Sequence, residues 1–365
     1  MTTLRRRVAV LSVAALALLG LAACSRDSST DTGSETQAKK IALLLPESQT
    51  TRYESFDKPY FEQKVKALCS ECEVLYFNAN QQDANQRQQA QTALAQGANV
   101  IVLDPVDGTT AGSVVQLAKD RNVPVISYDR LIVNADVDYY VSFDNEKVGQ
   151  LQATSLVDKL KADGKTSGNV VMINGDSKDN NAKLFNKGAR SVLDGSGFTI
   201  VPTTDFFTPD WLPANAQSFM NSQISQLGPT GFVGVYAAND GTAGGAIGAM
   251  ESAGVSPLPP ITGQDAELAA IQRIVAGTQY MTVYKALRPE AEKAAELAVA
   301  LARGEKPTVD EVVNNGQKDV PSALLEPIAV TKENIKDTVV KDEFWTVDKI
   351  CTTDYAAACA SIDLN

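Results

Sequence analysis

Short apolar runs alternate with helical patterns along most of this chain, and this alternation restricts its fold more than any other feature. The runs at residues 100–103 and 123–128 contain almost no polar residues, as expected for strands buried on both faces of a parallel sheet. Intervening segments such as residues 83–96 have apolar residues at helical spacing. Repeated strand–helix units predict an α/β fold with parallel sheets.

The length of the chain predicts two lobes. About 325 residues follow residue 40, which is more than one hydrophobic core usually supports. We expect two Rossmann-like lobes with the chain crossing between them and a ligand cleft at their interface. Residues 39–142 plus 286–306 are assigned to the N-terminal lobe, and residues 143–285 plus 307–344 to the C-terminal lobe. Residues 345–365 are expected to form an appended flap.

The first residues have the pattern of an export signal. Three arginines precede an apolar run at residues 8–19 that is too short to span a bilayer. The following Leu-Ala-Ala-Cys tetrapeptide resembles the lipobox of bacterial lipoprotein precursors, which implies removal of residues 1–23 and lipid attachment to Cys24. Ordinary signal cleavage with a free Cys24 is the alternative. Residues 24–38 predict a flexible tether, so we expect an extracytoplasmic protein anchored to the cell membrane.

The remaining cysteines fit an oxidising compartment. They form two local pairs, Cys69 with Cys72 and Cys351 with Cys359, and both are expected to be structural disulfides. A redox-active or metal-binding Cys-x-x-Cys is the alternative. It fits less well because the chain has no His and no second cysteine pair at zinc spacing.

Charge and motif content exclude several functions. The formal net charge of −11 disfavours nucleic acid as a partner. Without His, a nucleophile elbow, a Walker loop or a dinucleotide fingerprint, the sequence predicts neither a cofactor nor an enzyme. A glycoside hydrolase that uses Asp129 and Asp265 as its paired carboxylates is the catalytic alternative.

Asp129 and Arg130 are the first candidate ligand-binding residues. They directly follow the apolar run at residues 123–128, so they should project from the carboxyl edge of a parallel sheet, where open α/β sheets bind ligands. The carboxylate accepts hydrogen bonds and the guanidinium donates them in a fixed fork, a combination that matches a polyhydroxylated ligand. A surface salt bridge of little energetic value is the alternative.

Other strand ends carry further polar and aromatic side chains. Donors, acceptors and flat rings together are what a sugar requires, since its hydroxyls both donate and accept and its C–H faces stack on rings. Each residue also has a structural alternative. Asn239, Asp240 and Asp265 could cap helices. Trp211 and Tyr53 could belong to the core, and Arg52 and Lys285 could be solvated charges. The complete candidate set is Arg52, Tyr53, Asp129, Arg130, Asn181, Trp211, Asn239, Asp265 and Lys285.

These stretches resemble the periplasmic sugar-binding proteins of ABC transporters, of the ribose and galactose type, and most closely the members that bind D-xylose. The resemblance is carried by residues 128–132, 142–149, 179–185, 211–216, 239–247, 263–266, 274–285 and 314–322. It implies a periplasmic-binding-protein type I fold and a sugar site formed by the nine candidates. It also implies a monomer that closes by hinge motion on a monosaccharide and delivers it to an ABC permease.

Two alternatives remain beside this resemblance. The first aromatic residue of the site, usually Trp in the xylose binders, is Tyr53 here, so another aldose such as glucose, ribose or arabinose could be the ligand. The protein could also present its sugar to a sensory receptor rather than to a permease. A transcriptional repressor of related fold would need an N-terminal DNA-binding helix pair where this chain has an export signal.

Overall fold

The computed structural model describes residues 38–364. The predicted signal peptide, Cys24 and the tether up to residue 37 therefore lie outside the described residues. Among residues 38–364, none of the helices combines the length and apolarity that a membrane span requires.

Strands and helices alternate through most of the described chain. The strands are β1 (Lys40–Leu45), β2 (Glu73–Asn78), β3 (Val100–Leu103), β4 (Val125–Tyr128), β5 (Tyr139–Phe143), β6 (Asn169–Ile173), β7 (Thr199–Val201), β8 (Gly234–Ala237), β9 (Thr282–Tyr284), β10 (Glu311–Asn314), β11 (Asp319–Leu325) and β12 (Ile328–Val330). The α-helices are α1 (Lys58–Leu68), α2 (Asp83–Ala95), α3 (Gly112–Lys119), α4 (Asn145–Ala162), α5 (Asn180–Leu193), α6 (Pro213–Leu227), α7 (Asp240–Ser252), α8 (Leu268–Ala276), α9 (Leu287–Ala302), α10 (Val347–Ile350) and α11 (Ala356–Ala360). Shorter helical segments are Tyr53–Asp57, Pro209–Trp211 and Lys336–Val340.

The first lobe is built on a seven-stranded sheet in the order β10-β11-β5-β4-β3-β1-β2. All neighbouring strands are parallel except β10, which pairs antiparallel with β11 at one edge. Residues of β1 alternate between two cores: Ile41 and Leu43 face α1 and α9, and Ala42 and Leu44 face α2 and α3. Coverage of both faces explains why the central strands are apolar throughout.

The second lobe has a parallel sheet in the order β7-β6-β8. Isolated parallel bridges that pair Val235 with Ile261 and Gln264 with Val283 extend this sheet. Strand β9 then pairs antiparallel with β12. Helices α4 and α5 pack on one face and α6 and α7 on the other. Two lobes with mainly parallel sheets confirm the predicted α/β fold class.

The chain passes between the lobes three times: between β5 and α4, between β9 and α9, and between β11 and β12. The first two passages lie close to the predicted boundaries. The assignment of residues 307–344 as a whole to the C-terminal lobe was wrong, because β11 pairs with β5 from Ser322–Tyr140 to Leu325–Phe143. This pairing covers an edge of β5 that would otherwise leave backbone groups unpaired. The other domain limits stay predictions.

Residues 345–364 pack against the body of the protein rather than projecting as a flap. Trp345, Ile350, Cys359 and Leu364 are buried in one apolar cluster with residues of α8. Disulfides join Cys351 to Cys359 and, at the end of α1, Cys69 to Cys72.

Candidate ligand-binding site

A polar pocket between the two lobes brings all nine candidate residues together. It holds about 300 Å³ of space between atoms, part of it open to solvent, and every candidate side chain is buried. The residues that line it are Thr50, Arg52, Tyr53, Asp129, Arg130, Asp179, Asn181, Phe185, Trp211, Asn239, Gln264, Asp265 and Lys285. Side chains from α5, from the N-cap of α7, from the residues directly after β4 and β9, and from the segments near residues 52, 211 and 265 therefore converge on one place.

Arg52 is held by three carboxylates. Its Nη1 lies 2.8 Å from Asp129 Oδ1, and its Nη2 lies 2.7 Å from both Asp57 Oδ1 and Glu290 Oε2. Its Nε donates to Asp57 Oδ2 over 3.0 Å. Burial raises the pKa of Glu290 to about 8, although the guanidinium attracts the carboxylate. Arg52 is only 3% exposed, so the solvated-charge alternative is wrong for this residue.

Asp129 links the two sides of the pocket. Its Oδ1 accepts from Lys285 Nζ over 3.2 Å, and the same Nζ lies 3.7 Å from Asp265 Oδ1. The backbone carbonyl of Asp129 accepts from Asn181 Nδ2 over 3.0 Å. Burial alone would raise the pKa of Asp129, but Arg52 and Lys285 outweigh it and hold the pKa below its usual range. Asp129 is therefore an ionised acceptor, and neither it nor Lys285 is solvated.

Arg130 is oriented by Tyr53 and by two carboxylates that are not among the nine candidates. Its Nη2 donates to Tyr53 Oη over 3.0 Å, and its Nε lies 3.1 Å from Asp179 Oδ2 and 3.6 Å from Asp104 Oδ1. Arg130 is 3% exposed, so the surface salt-bridge alternative is also wrong. Burial raises the pKa of Tyr53 well above its usual value, so its hydroxyl stays protonated.

Asn239 serves two purposes. Its Oδ1 accepts from the Thr242 backbone N–H over 2.9 Å, which makes it the N-cap of α7. It also lines the pocket, so the capping alternative and the binding prediction are both compatible with its position.

Asp265 is not a cap, because Glu267 occupies that position at α8. Asp240 lies in the first turn of α7 and accepts from Thr282 and Gln279 inside the lobe.

Trp211 closes the second-lobe side of the pocket. Its ring meets Phe185 edge-on, with 6.5 Å between centroids, and it belongs to the core cluster beside α5. A Cβ on Gly175 would lie 1.9 Å from the Trp211 ring, so only glycine at position 175 lets the indole sit here. Both Trp211 and Tyr53 therefore pack in a core and present a ring to the pocket.

Several polar atoms of the pocket have no hydrogen-bond partner within residues 38–364. They include the donor Trp211 Nε1 and the acceptors Gln264 Oε1 and Asp265 Oδ1. Burying such groups unpaired costs about 1–3 kcal/mol each, and native proteins rarely leave them so. This mixture of unpaired donors and acceptors points to a polar ligand that can both accept and donate.

The residues that sequence reasoning missed are mostly partners of the two arginines. Gln264 directly precedes Asp265, and Asp179 lies two residues before Asn181, both within stretches that carry the resemblance, so these predicted residues were a usable signal. Asp57 and Glu290 lie in helical segments without any motif. Among residues 38–364, no group of three or more His, Cys, Asp or Glu side chains is arranged to hold a metal ion.

Comparisons with known proteins agree with this architecture. Residues 41–306 match the family model described as periplasmic binding protein domain. The chain is 41% identical over 319 residues to the D-xylose-binding periplasmic protein of Escherichia coli (strain K12), covering 86% of this chain and 93% of that protein. It is 38% identical over 283 residues to the multiple sugar-binding periplasmic receptor ChvE of Rhizobium radiobacter, covering 73% and 80%.

Solved structures show the same relationship. An ABC transporter solute-binding protein from Clostridium phytofermentans with bound β-D-glucose aligns with a TM-score of 0.79 at 29% identity, covering 86% of this chain and 100% of that one. A carbohydrate transporter solute-binding protein from Chloroflexus aurantiacus in complex with D-glucose aligns with a TM-score of 0.78 at 29% identity, covering 86% and 98%. The sequence resemblance is thereby confirmed: this chain belongs to the periplasmic binding protein family.

Proposed function

We propose that this protein captures a monosaccharide, D-xylose first among the aldoses, in the pocket between its lobes and delivers it to an ABC permease. It acts as a monomer outside the cytoplasm, attached to the cell membrane through lipid on Cys24. The pocket binds and releases its sugar unchanged, and no cofactor takes part.

The unpaired donors and acceptors of the pocket carry this proposal. Trp211 Nε1, Gln264 Oε1 and Asp265 Oδ1 lack hydrogen-bond partners within the described residues. Sugar hydroxyls can satisfy all three, because each hydroxyl donates one hydrogen bond and accepts others. The ionised Asp129 and the fork of Arg130 supply the charge-assisted hydrogen bonds that hold such a ligand in one orientation. The rings of Tyr53 and Trp211 provide apolar surface for the C–H faces of a pyranose.

Contacts between the lobes support capture by closure. Asn181 Nδ2 donates to Asp129 O over 3.0 Å, and the Gly108 backbone N–H donates to Lys178 O over 3.1 Å. A ligand favours a closed form only to the extent that it binds that form better. Asp129 on one lobe and Asp265 on the other meet this condition, since a sugar between them contacts both.

D-Xylose is proposed because two relatives at 41% and 42% identity are named D-xylose-binding periplasmic proteins. The solved relatives with glucose at 29% identity make D-glucose the principal competitor. The two sugars differ by one exocyclic CH₂OH group, and a difference of that size is worth only about 1–3 kcal/mol in a binding pocket.

Isothermal titration calorimetry of residues 25–365 against a monosaccharide panel tests the proposal. We expect binding of D-xylose, with weaker binding of D-glucose. Asp265→Ala should lose at least about tenfold in affinity, because it leaves sugar hydroxyls unpaired. Asp163→Ala, an exposed change distant from the pocket, is the control. Failure of the wild type to bind any aldose, or turnover of aryl glycosides, would overturn the proposal.

A further inference from the structure

The C-terminal segment, residues 345–364, has no part in the function proposed so far, yet it lies beside the pocket. Helices α10 and α11 of this segment pack against α8 of the second lobe. Gln272 Nε2, on α8, donates to Lys349 O over 3.0 Å. The segment is therefore attached to the second lobe, and its first residue, Trp345, is buried.

Trp345 binds the backbone next to a ligand-binding side chain. Its Nε1–H donates to Ala266 O over 2.8 Å. Asp265 and Ala266 have φ angles of 90° and 50°, a left-handed conformation that persists in residues with side chains only where the surroundings hold it. The Asp265 N–H donates to Val283 O and the Ala266 N–H to Thr282 Oγ1. Trp345 supplies the donor for the carbonyl of the same turn.

The same indole also contacts the first lobe. Phe56 meets Trp345 edge-on, with 5.1 Å between ring centroids and 78° between planes. Phe56 also stacks on Phe344 at 4.2 Å and 12°. All three rings are 8% exposed or less, so these contacts exclude water. Phe56 belongs to the helical segment Tyr53–Asp57, which contributes Tyr53 to the pocket.

We propose that Trp345 is a positioning residue for the sugar site. It holds Asp265 towards the ligand through the Ala266 carbonyl, and through Phe56 it couples that turn to the segment that carries Tyr53. This inference rests on the proposed function, because it names a further determinant of the same pocket. Without the indole N–H, the Ala266 carbonyl loses its partner and the Asp265 turn is free to relax away from the bound sugar.

Stopped-flow fluorescence with D-xylose, and with D-glucose as a second probe, measures the effect. The chain has two tryptophans, so in Trp345→Phe the remaining Trp211 reports directly from the pocket. This variant keeps an aromatic ring and removes the N–H. We expect dissociation to become about tenfold faster, with association changed by less than about twofold. Lys341→Gln, an exposed change near the segment, should behave as the wild type.

A second measurement separates positioning from general stability. If Trp345 acts through Asp265, then Trp345→Phe made in an Asp265→Asn background should change dissociation by less than about twofold, since residues that act as a unit are not additive. The positioning role would be refuted if Trp345→Phe released sugar at the wild-type rate, or if it accelerated dissociation equally in both backgrounds. Either result would leave the proposed function intact. Absence of sugar binding in the wild type would instead refute the proposed function, and this inference with it.

Discussion

The guanidinium of Arg52 and the carboxyl group of Glu290 are in buried contact, with 2.7 Å between Nη2 and Oε2. Arg52 lies at the first-lobe side of the pocket, and Glu290 lies in the first turn of α9, which begins directly after the passage between lobes at Lys285. The pair therefore connects the ligand site to the helix that begins after this passage. Burial nevertheless raises the pKa of Glu290 to about 8.

Glu290 should make the protein less stable at high pH. Its folded-state pKa of about 8 lies above the usual value of 4.5, so between these values the folded protein binds a proton that the unfolded chain has lost. The free energy of unfolding then falls as pH rises through this window. Glu290→Gln should make the fall shallower, by at most about 1.4 kcal/mol per pH unit.

Urea denaturation at several values from pH 5 to pH 8 checks this slope. Some slope should persist in Glu290→Gln, because burial also raises the pKa of Asp240 to about 7 and that of Glu267 to about 8. Glu292→Gln, an exchange at a partly exposed position of the same helix, serves as the matched control. Equal slopes in the wild type and Glu290→Gln would show that Glu290 does not titrate in this window.

Gly175→Ala should displace the Trp211 ring. The added Cβ would lie 1.9 Å from that ring, so the indole must move, at a cost of about 1–3 kcal/mol in stability. Sugar affinity should fall as well, because Trp211 lines the pocket. Gly195→Ala is the control, since its added Cβ meets no atom within 4 Å. Thermal unfolding and calorimetry measure both effects, and similar behaviour of the two variants would contradict the steric argument.

Tyr53→Trp should change sugar preference. The larger ring reduces the space left for an exocyclic CH₂OH group and removes the hydroxyl that Arg130 Nη2 contacts at 3.0 Å. We expect D-glucose affinity to fall more than D-xylose affinity. Tyr53→Phe separates the two causes, because it removes only the hydroxyl. Titration of both sugars against both variants gives the ratio of D-glucose affinity to D-xylose affinity. An unchanged ratio in Tyr53→Trp would contradict the prediction.

Cys24→Ser should release the protein from the membrane fraction. The prediction rests on the Leu-Ala-Ala-Cys tetrapeptide, since only the thiol of Cys24 can carry the thioether-linked lipid. Fractionation of cells that express the wild type and the variant checks it. Ser25→Ala, next to the proposed lipidation site, should stay in the membrane. Equal membrane association of the wild type and Cys24→Ser would argue against a lipid anchor.

The sequence by itself determined the strand–helix alternation, the parallel character of the sheets and the identity of the nine pocket residues. The alternation and the sheet type follow from local signals, because continuous apolar runs are buried on both faces and polar residues directly after them project from the carboxyl edge. Asp129 and Arg130 after β4 were predicted in this way. The resemblance to a family then selected the nine residues among several polar and aromatic side chains at strand ends.

Only the tertiary structure decided which groups neutralise the buried charges. Asp57 and Glu290 reach Arg52 across sequence separations of 5 and 238 residues, and neither has a local pattern that distinguishes it from a solvated carboxylate. The same holds for β11, which joins the first sheet because β5 presents an open edge, and for Trp345, which meets Ala266 and Phe56. Apart from Asp57, which is close to Arg52 in the chain, these partners lie on segments that are distant in sequence, so residue type and spacing along the chain do not predict them.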